Sequence, residues 1–345
     1  MQAFFYERAS DTAHALRLAQ QAGAKFIGGG TNLLDLVKAD VERPLRLIDI
    51  THIGLAQIDE LPAGGVRIGA LARNSDCANH PLIRQRYPLL SQALLAGASP
   101  QLRNMATVGG NLMQRTRCPY FTDPAFDMCN KRNPGSGCAA RAGYSRVHAI
   151  LGASDACIAV NPSDMSVALA ALDAVVLLAS TRGERRIALA DFHRLPGTSP
   201  QLDTQLLPGE LITGVELPAS SFARHAHYLK VRDRASYAFA LVAVAAALEI
   251  RDGVVRQARI ALGGVAHKPW RVPAAEALLV GRPLGEQLSR QVAVRLMAGA
   301  HAYKDNHFKI ELAQRAVVRA LRNAGADTAA GTAAGTAAET EGDRA

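Results

Sequence analysis

The chain of 345 residues is long enough for two domains, and its 49% hydrophobic and 20% charged residues are typical of a folded globular protein. The net charge of +9 does not indicate nucleic-acid binding, because the arginines are scattered and only 5% of residues are aromatic; docking of an acidic partner subunit is the better interpretation. The apolar run 238–248 is too short to span a membrane. The first ten residues, with Glu7 and Arg8, lack a signal-peptide pattern, so export would require a partner that carries the signal.

The first half of the chain predicts short strands alternating with helices. In chain order these are a helix N-capped by Ser10 and running to about Gln21, a strand at 25–27, a helix opened by Thr31, strands near 45–48, 55–58 and 66–68, and a helix from Asn74 to Ala96 that Pro81 and Pro88 divide into two pieces. Residues 97–162 are poor in periodicity and rich in Gly, Pro, Asn and Cys. A compact domain rarely spends so many residues on irregular chain without a functional reason.

Regular structure returns in the second half. The predicted elements are a helix at 164–172 capped by Ser163, strands at 175–179, 186–189 and 211–217, an antiparallel sheet from 228–231, 238–250 and 254–262 with a turn at Asp252 and Gly253, and helices at 285–303 and 310–323. We place a domain boundary near residue 222, which gives domains at 1–222 and 223–323. The Ala, Gly and Thr repeats of 324–345 predict a disordered tail.

A glycine-rich loop separates the predicted strand at 25–27 from the helix after it. It reads Phe26-Ile27-Gly28-Gly29-Gly30-Thr31-Asn32, and residues without a Cβ can present successive backbone N–H groups to a phosphate. The third glycine of G-x-G-x-x-G is replaced by Leu33, and no G-K-[ST] follows, which disfavours Rossmann and P-loop sites. Taken alone, the loop is equally compatible with a tight turn.

A second segment has similar chemistry. It reads Arg103-Asn104-Met105-Ala106-Thr107-Val108-Gly109-Gly110-Asn111, so a glycine pair again lies between residues with short hydrogen-bonding side chains. Two such loops can converge on one pyrophosphate.

Four separated motifs, in the same order, resemble one protein family. They are FIGGGTNLLDLVK, RNMATVGGNLMQ, NPSD before a helix that ends in ALDA, and GELITGVELP followed by YLKVR. Over nearly its whole length up to the tail, the chain resembles the flavin subunit of the xanthine dehydrogenase and aldehyde oxidoreductase family. The resemblance implies an α+β fold, in which FAD lies between the lobes of a two-lobed PCMH-type (vanillyl-alcohol-oxidase-like) FAD-binding domain and a smaller α+β C-terminal domain follows.

The resemblance also implies which residues contact FAD. Those around the pyrophosphate are Phe26, Ile27, Gly28, Gly29, Gly30, Thr31, Asn32, Leu33 and Leu34, with Thr107, Gly109, Gly110 and Asn111 as the second wall. Asp164 matches an acidic residue that contacts the cofactor, while Ile212 and Lys230 match positions near the flavin ring, where a positive charge would stabilise reduced flavin. Without the resemblance, Asp164 is a capping residue in the first turn of a helix and Lys230 an edge or surface lysine.

Five cysteines occur, and four of them lie in the irregular segment. Buried free thiols, disulfides and zinc are the ordinary explanations, although the C-x-x-C pair of structural zinc sites is absent from the sequence. The intervals of ten, eight and eighteen residues require a loop that folds around something bulky. A cubane iron–sulfur cluster held by four thiolates meets that requirement.

The family resemblance makes the cysteine pattern more specific. Most flavin subunits of the family connect the TVGGN loop to the next helix with a few residues, whereas here an insertion at 114–160 carries RTRCPYF, CNKRNPGSGC and HAILGASDACIA. It looks like the insertion of bacterial aldehyde oxidoreductases whose flavin subunit holds a [4Fe-4S] cluster. The implied ligands are Cys118, Cys129, Cys138 and Cys157. Cys77 is predicted to be a structural thiol, and His148 in place of one cysteine is the alternative ligand.

The function implied by the resemblance is an electron relay. A molybdenum cofactor in a large partner subunit oxidises an aldehyde to a carboxylic acid, [2Fe-2S] clusters in a small partner subunit pass electrons to FAD in this chain, and an external acceptor takes them up. No catalytic base or nucleophile is expected here, and the sequence contains neither H-E-x-x-H nor G-x-S-x-G. The resemblance implies a periplasmic location, reached on a partner's signal, with the cytoplasm otherwise.

Two other functions stay open on the sequence alone. One is a stand-alone flavin oxidoreductase in which the substrate meets FAD directly. The other is a zinc-binding, non-enzymatic scaffold whose glycine loops are simple turns.

Overall fold

The computed structural model describes residues 2–235 and 237–326, which form three sheets flanked by helices, the predicted α+β fold. Most of the predicted disordered tail, 327–345, lies outside the described residues, while Ala324 and Gly325 belong to the last helix. Within the described ranges, no helix combines the length and the apolar character that a bilayer span requires.

The first lobe is a small parallel sheet with two helices. Its elements are β1 (Phe5–Arg8), α1 (Thr12–Leu18), β2 (Ala24–Ile27), α2 (Leu33–Lys38) and β3 (Arg46–Asp49). The strand order is β1-β3-β2. β1 was not predicted, because Phe5 and Tyr6 are both more than half exposed and give no apolar alternation. The predicted cap of α1 was also wrong, since Asp11 rather than Ser10 accepts a hydrogen bond from the backbone N–H of His14.

The second lobe is a five-stranded antiparallel sheet with most of the helices. Its elements are β4 (Ile58–Glu60), β5 (Val66–Gly69), α3 (Asn74–Asn79), α4 (Pro81–Arg86), α5 (Pro88–Ala96), α6 (Pro100–Arg103), α7 (Val108–Leu112), α8 (Pro119–Thr122), a 3-10 turn (Ala139–Arg141), α9 (Asp164–Ala171), β6 (Val175–Ser180), β7 (Gly183–Ala188), α10 (Leu189–Phe192) and β8 (Leu211–Leu217). The strand order is β4-β5-β8-β6-β7. Ser163 caps α9 as predicted. Pro81 and Pro88 each start a new helix, so the predicted two-piece helix is three helices.

The C-terminal region is the predicted antiparallel sheet with helices against it. Its elements are β9 (Ala226–Val231), β10 (Val242–Arg251), β11 (Val254–Gly263), β12 (Trp270–Arg271), α11 (Pro273–Glu276), α12 (Glu286–Leu296) and α13 (Phe308–Gly325). The strand order is β12-β11-β10-β9. Asp252 and Gly253 form the β10–β11 turn with φ angles of 54° and 73°. The helix predicted at 285–303 ends at Leu296, because the chain turns at 297–299.

Strand β10 joins the C-terminal sheet to the second lobe because both of its faces are buried. Ala243, Ala245 and Ala247 pack into the core of the five-stranded sheet, whereas Val242 and Val244 pack into the core formed with α12 and α13. A strand buried on both faces is apolar at every position, which explains the unbroken apolar run in the sequence.

The last helix is also tied to the irregular insertion. Lys309 of α13 is fully buried, and its Nζ donates hydrogen bonds to the backbone oxygens of His148, at 2.8 Å, and Gly264, at 2.6 Å. Burial lowers the pKa of Lys309 to about 7, and a buried amine needs such acceptors because an unpaired polar group away from water is costly. Lys309 therefore fixes α13, the end of β11 and the insertion to one another.

Candidate functional site

The two glycine loops are in direct contact. A Cβ on Gly29 would lie only 1.8 Å from the carbonyl oxygen of Met105, and one on Gly28 would lie 3.1 Å from Thr107 Oγ1. Gly30 has a φ of +73°, in the left-handed region that glycine adopts without strain. Only residues without a side chain allow this approach, so the close pairing of the loops depends on glycine.

The first loop has free backbone donors. Within residues 2–235 and 237–326, no protein acceptor is found for the backbone N–H groups of Gly29, Gly30, Thr31 and Asn32. Such groups are normally satisfied, and a run of them in a turn forms a concave site for anionic oxygens. The first loop therefore fits a phosphate group.

The second loop differs from the first, because its backbone donors are already used. The N–H of Gly109 donates to Ala70 O at 2.7 Å, and that of Gly110 donates to the side chain of Thr107 at 3.2 Å. Asn32 Nδ2 also donates to Gly110 O at 3.4 Å. This loop thus forms a wall of the site and supports the first loop. The N–H groups of Gly109 and Gly110, which were expected to face the pyrophosphate, are not available to bind it.

Both loops line one cavity of about 480 Å³, a size typical of ligand pockets. The predicted residues that line it are Phe26, Ile27, Gly28, Gly29, Gly30, Thr31, Asn32, Leu33, Thr107, Gly109, Gly110 and Ile212. Leu34 is not among the lining residues and packs against Gly30 instead. Asn111 is buried and accepts hydrogen bonds from Ser163 and Gln114.

The opposite wall of this cavity was missed by sequence reasoning. It comes from the segment between α10 and β8, where residues 201–204 and 206–211 line the cavity. Leu202 and Leu207 are each nearly half exposed there. The sequence shows only leucines in a loop rich in Pro and Gly, and their exposure, which is the sign of a ligand site, is visible in the structure alone.

Asp164 and Lys230 meet in a narrower cleft beside the cavity, which shares Thr31 and Asn32 with it. Lys230 Nζ donates to Asp164 Oδ2 at 2.7 Å and to Ala96 O at 3.0 Å, and the two charged side chains are only 5% and 9% exposed. Lys230 lies on an edge strand, as the alternative interpretation has it, but is buried and not at the surface. Asp164 does lie in the first turn of a helix, and it also pairs with Lys230. Ile212 lines the large cavity and not this cleft, so it does not join Lys230.

Tyr228 completes this buried group and was not predicted. Its hydroxyl donates to Asp164 Oδ1 at 2.7 Å. Burial, followed by the neighbouring Asp164 carboxylate, raises the pKa of Tyr228 well above its usual value, so the phenol stays protonated and keeps donating. Both oxygens of Asp164 are thus held, one by a cation and one by a phenol.

The insertion brings its four cysteines to one small cavity. Cys118, Cys129, Cys138 and Cys157 all line it. Cys129 and Cys138 face each other across an isolated backbone bridge, and Cys157 Sγ accepts a hydrogen bond from the N–H of Ala159 at 3.4 Å. All five cysteines of the chain are free thiols, so the disulfide interpretation is not supported. Cys77 lies apart, fully buried in the core of the second lobe.

Four thiols on one cavity are a donor set of the kind that an iron–sulfur cluster takes. In the described part of the chain, no three His, Cys, Asp or Glu side chains close around a point where one metal ion could sit. A cubane takes one thiolate at each of four irons and therefore spreads its ligands more widely than zinc does. Burial raises the pKa of Cys118 to about 12 and that of Cys157 to about 11, so a positively charged metal is needed to hold these sulfurs as thiolates.

His148 lies beside the cysteine site rather than in it. The ring is 1% exposed and its Nε2 is 3.1 Å from Cys118 Sγ, yet the ring lines a neighbouring cavity and not the one that the cysteines share. Burial lowers the pKa of His148 to about 4, so the ring is neutral at neutral pH. His148 thus contacts a predicted ligand, and the geometry does not favour it as a replacement for one.

Two known protein families match this chain, one over each part. The family of FAD binding domains in molybdopterin dehydrogenase matches residues 2–220, and that of CO dehydrogenase flavoprotein C-terminal domains matches residues 227–324. The predicted boundary near residue 222 falls between the two matched ranges.

Individual relatives span nearly the whole chain. The aldehyde oxidoreductase FAD-binding subunit PaoB of Escherichia coli is 55% identical over 94% of this chain and 99% of its own length. The glyceraldehyde dehydrogenase medium chain of Sulfolobus acidocaldarius is 27% identical over 92% and 95%. A crystallised carbon monoxide dehydrogenase chain of Hydrogenophaga pseudoflava superposes with a TM-score of 0.73 at 26% identity, over 94% of this chain and 97% of that chain. The chain therefore belongs to the FAD-binding subunits of the xanthine dehydrogenase and molybdenum-containing aldehyde oxidoreductase family.

Proposed function

We propose that this oxidoreductase subunit carries a [4Fe-4S] cluster beside its FAD and relays electrons within a heteromeric molybdenum aldehyde oxidoreductase. Electrons released when an aldehyde is oxidised to a carboxylic acid reach FAD from [2Fe-2S] clusters of a partner and leave to an external acceptor. The observation that carries the proposal is the convergence of Cys118, Cys129, Cys138 and Cys157 on one cavity within a single insertion.

The residues of this chain bind and tune the cofactors and do not act on the aldehyde. The free N–H groups of Gly29 to Asn32 would hold the FAD pyrophosphate, and the cleft with Asp164 and Lys230 would hold the flavin ring. Bound FAD supplies the exchange between single-electron and paired-electron transfer. Lys230 brings a positive charge that favours reduced flavin, while its bond to Asp164 limits that effect. These individual FAD contacts stay predictions.

Two partners are part of the proposal: a large subunit with the molybdenum cofactor and a small subunit with [2Fe-2S] clusters. The similarity to chains named as an FAD-binding subunit and as a medium chain supports such an assembly. We also propose a periplasmic location, reached with a signal-bearing partner. Fractionation of cells that express all subunits tests the location, and retention in the cytoplasm would contradict it.

Metal and flavin analysis of the purified complex tests the relay. We expect one FAD per chain, together with molybdenum, iron and labile sulfide. Replacing Cys138 by alanine should remove about four iron and four sulfide per complex while the partner clusters stay. Cys77→Ala, in a thiol of the second lobe, is the matched control and should keep all of the iron. An unchanged iron content in Cys138→Ala would contradict the cluster.

The stand-alone flavin enzyme is tested with the same preparations. The isolated chain, loaded with FAD, should bind flavin and fail to oxidise aldehydes, because no general base or nucleophile is expected in it. Aldehyde oxidation by the chain alone would favour that alternative. Zinc in place of iron would favour a structural metal in the insertion.

A further inference from the structure

Buried charges connect the cysteine insertion to the wall of the large cavity. Lys131 lies two residues after Cys129, and its side chain is only 1% exposed. Its Nζ donates to Asp203 Oδ1 and, at 2.7 Å, to Pro200 O. Asp203 is one of the residues that line the cavity.

Arg115 holds the other side of the same carboxylate. Its Nε donates to Asp203 Oδ2 at 2.8 Å, and its Nη1 donates to Glu42 Oε1 at 2.6 Å. Lys25 also pairs with Glu42, at 3.1 Å. Except for Lys131, these residues line the large cavity, so Lys131 is the member of the network that comes from the cysteine site.

Lys131 is one of several groups that hold the cavity wall around Asp203. Arg115 of the insertion also donates to Asp203 and to Gln201 O, and the N–H of Arg194 donates to Asp203 O at 3.0 Å. Residues 196–210 run between α10 and β8 without regular structure, and their middle is tied to the insertion. Besides the two bonds of Lys131, Ser154 Oγ of the insertion donates to Gly197 O at 2.7 Å. The position of this wall therefore depends on the position of the insertion.

The insertion in turn depends on what its cysteines bind. Its regular structure is limited to α8 and one 3-10 turn, and its other backbone hydrogen bonds lie in turns and isolated bridges. Ligand binding by four thiolates supplies folding free energy in such a segment, because the ligand site does not persist in the unfolded chain. Cluster binding at Cys129 would thus fix the backbone that carries Lys131.

We propose that Lys131 is a positioning residue for FAD. Through its bonds to Asp203 and Pro200, Lys131 couples cluster binding in the insertion to the retention of FAD. The inference rests on the proposed cluster. With the cluster bound, Lys131 holds the segment around Asp203 against the cavity. Without it, Lys131 is no longer fixed, the wall loosens and FAD dissociates more readily.

A double-mutant cycle tests the coupling in the complex purified with its partners. The chains are wild type, Cys138→Ala, Lys131→Met and the double variant, and the readouts are iron, labile sulfide and the Kd of FAD from flavin fluorescence. Each single variant should raise the Kd about tenfold, and the double variant should bind FAD no more weakly than either single one. Lys131→Met should keep its iron, whereas Cys138→Ala should lose the iron of the cluster.

The outcomes separate this inference from the proposed function. If Cys138→Ala keeps its iron, the cluster proposal fails. If iron is lost and the Kd of FAD stays at the wild-type value, the cluster proposal stands and the coupling fails. Effects that multiply in the double variant would also overturn the coupling, because independent sites add in free energy.

Three further variants guard against a general loss of folding. Lys131→Arg keeps the charge and should restore FAD binding to within about twofold of wild type, since a guanidinium also pairs with a carboxylate. Arg290→Met removes an exposed cation of α12 and should leave the Kd unchanged. If Lys131→Met does not fold, Lys131→Met/Asp203→Asn replaces it. In this paired variant the carboxylate of Asp203 is removed together with the lysine that neutralises it. Wild-type FAD affinity in this paired variant would contradict the proposal.

Discussion

The proposed FAD cradle, which is the glycine turn at 28–32, and the cysteine site are built in opposite ways. The cradle uses the backbone of a turn between β2 and α2, where free N–H groups are fixed by the surrounding fold. The cysteine site uses side chains from a segment with little regular structure. From this difference we expect the cradle to be formed before its ligand arrives, and the cysteine site to become fully rigid only with its proposed cluster. Four predictions test this contrast.

The largest effect is expected at the cradle from Gly29→Ala. The new Cβ would lie 1.8 Å from Met105 O, so one of the two loops must move. We expect loss of most bound FAD and a fall of about 3 kcal/mol in the free energy of unfolding, as in other overpacked sites. Flavin absorbance per chain and urea unfolding measure these changes. Gly285→Ala is the control, because a Cβ there meets nothing within 4 Å; a flavin-replete Gly29→Ala protein would show that the cradle is not rigid.

A smaller effect is expected from Lys230→Met in the flavin cleft. It leaves the buried Asp164 carboxylate without its cation, which costs about 3 kcal/mol or somewhat less because Tyr228 still donates to it. The flavin midpoint potential should also become more negative. Urea unfolding and redox titration measure the two changes. Lys230→Met/Asp164→Asn should recover most of the stability, and failure to recover it would mean that Lys230 contributes mainly by packing.

Acid should lower the free energy of unfolding through His193, which lies between α10 and β8. The ring is buried with its Nε2 3.0 Å from Leu112 O, and burial lowers its pKa from 6.5 to about 4. The folded ring is neutral while the unfolded ring takes up a proton below about pH 6.5, so stability is present above that pH and is lost as the pH falls towards 4.

His193→Gln removes this contribution. Between pH 6.5 and pH 4, the free energy of unfolding should fall less in the variant than in wild type, and the difference should be on the order of 2 kcal/mol. Urea unfolding across this pH range measures it, with the exposed His52→Gln as the control. Equal acid losses in both variants would show that other groups dominate.

The smallest effect is expected at the cysteine site from His148→Phe. It removes the contact between Nε2 and Cys118 Sγ, and with it a hydrogen bond that would favour the reduced form of the proposed cluster. At the wild-type midpoint potential, the ratio of oxidised to reduced cluster should rise about fivefold. A redox titration followed by electron paramagnetic resonance measures it. His148→Gln keeps a donor and should stay near wild type; identical potentials in all three proteins would mean that the contact carries no hydrogen bond.

The contrast between the two sites also explains what the sequence could predict. The helix at Asp164–Ala171, the strand at Leu211–Leu217 and the glycine turn follow from local signals: a capping serine, an apolar strand pattern and residues without side chains. The resemblance named the four cysteines, but their spacing alone did not show that they meet.

Long-range contacts were outside the reach of the sequence. Lys131 and Asp203 are 72 residues apart, and nothing in either segment indicates the other. The cavity wall at 201–211 was missed for the same reason, because it is a wall only once the first lobe faces it. The buried pairing of Lys230 with Asp164, 66 residues apart, likewise depends on how β9 packs beside α5 and α9.

Lys309 is translated long after the insertion that it helps to fix. The helix that supplies Lys309 is the last described element to be translated. Lys309 Nζ nevertheless donates to the backbone oxygen of His148, in the middle of the chain. A nascent chain that already contains all four cysteines therefore lacks the lysine that holds the backbone of the insertion at His148. We expect loading of the proposed cluster to be completed after translation of residue 309, and expect chains truncated before α13 to bind less iron and sulfide.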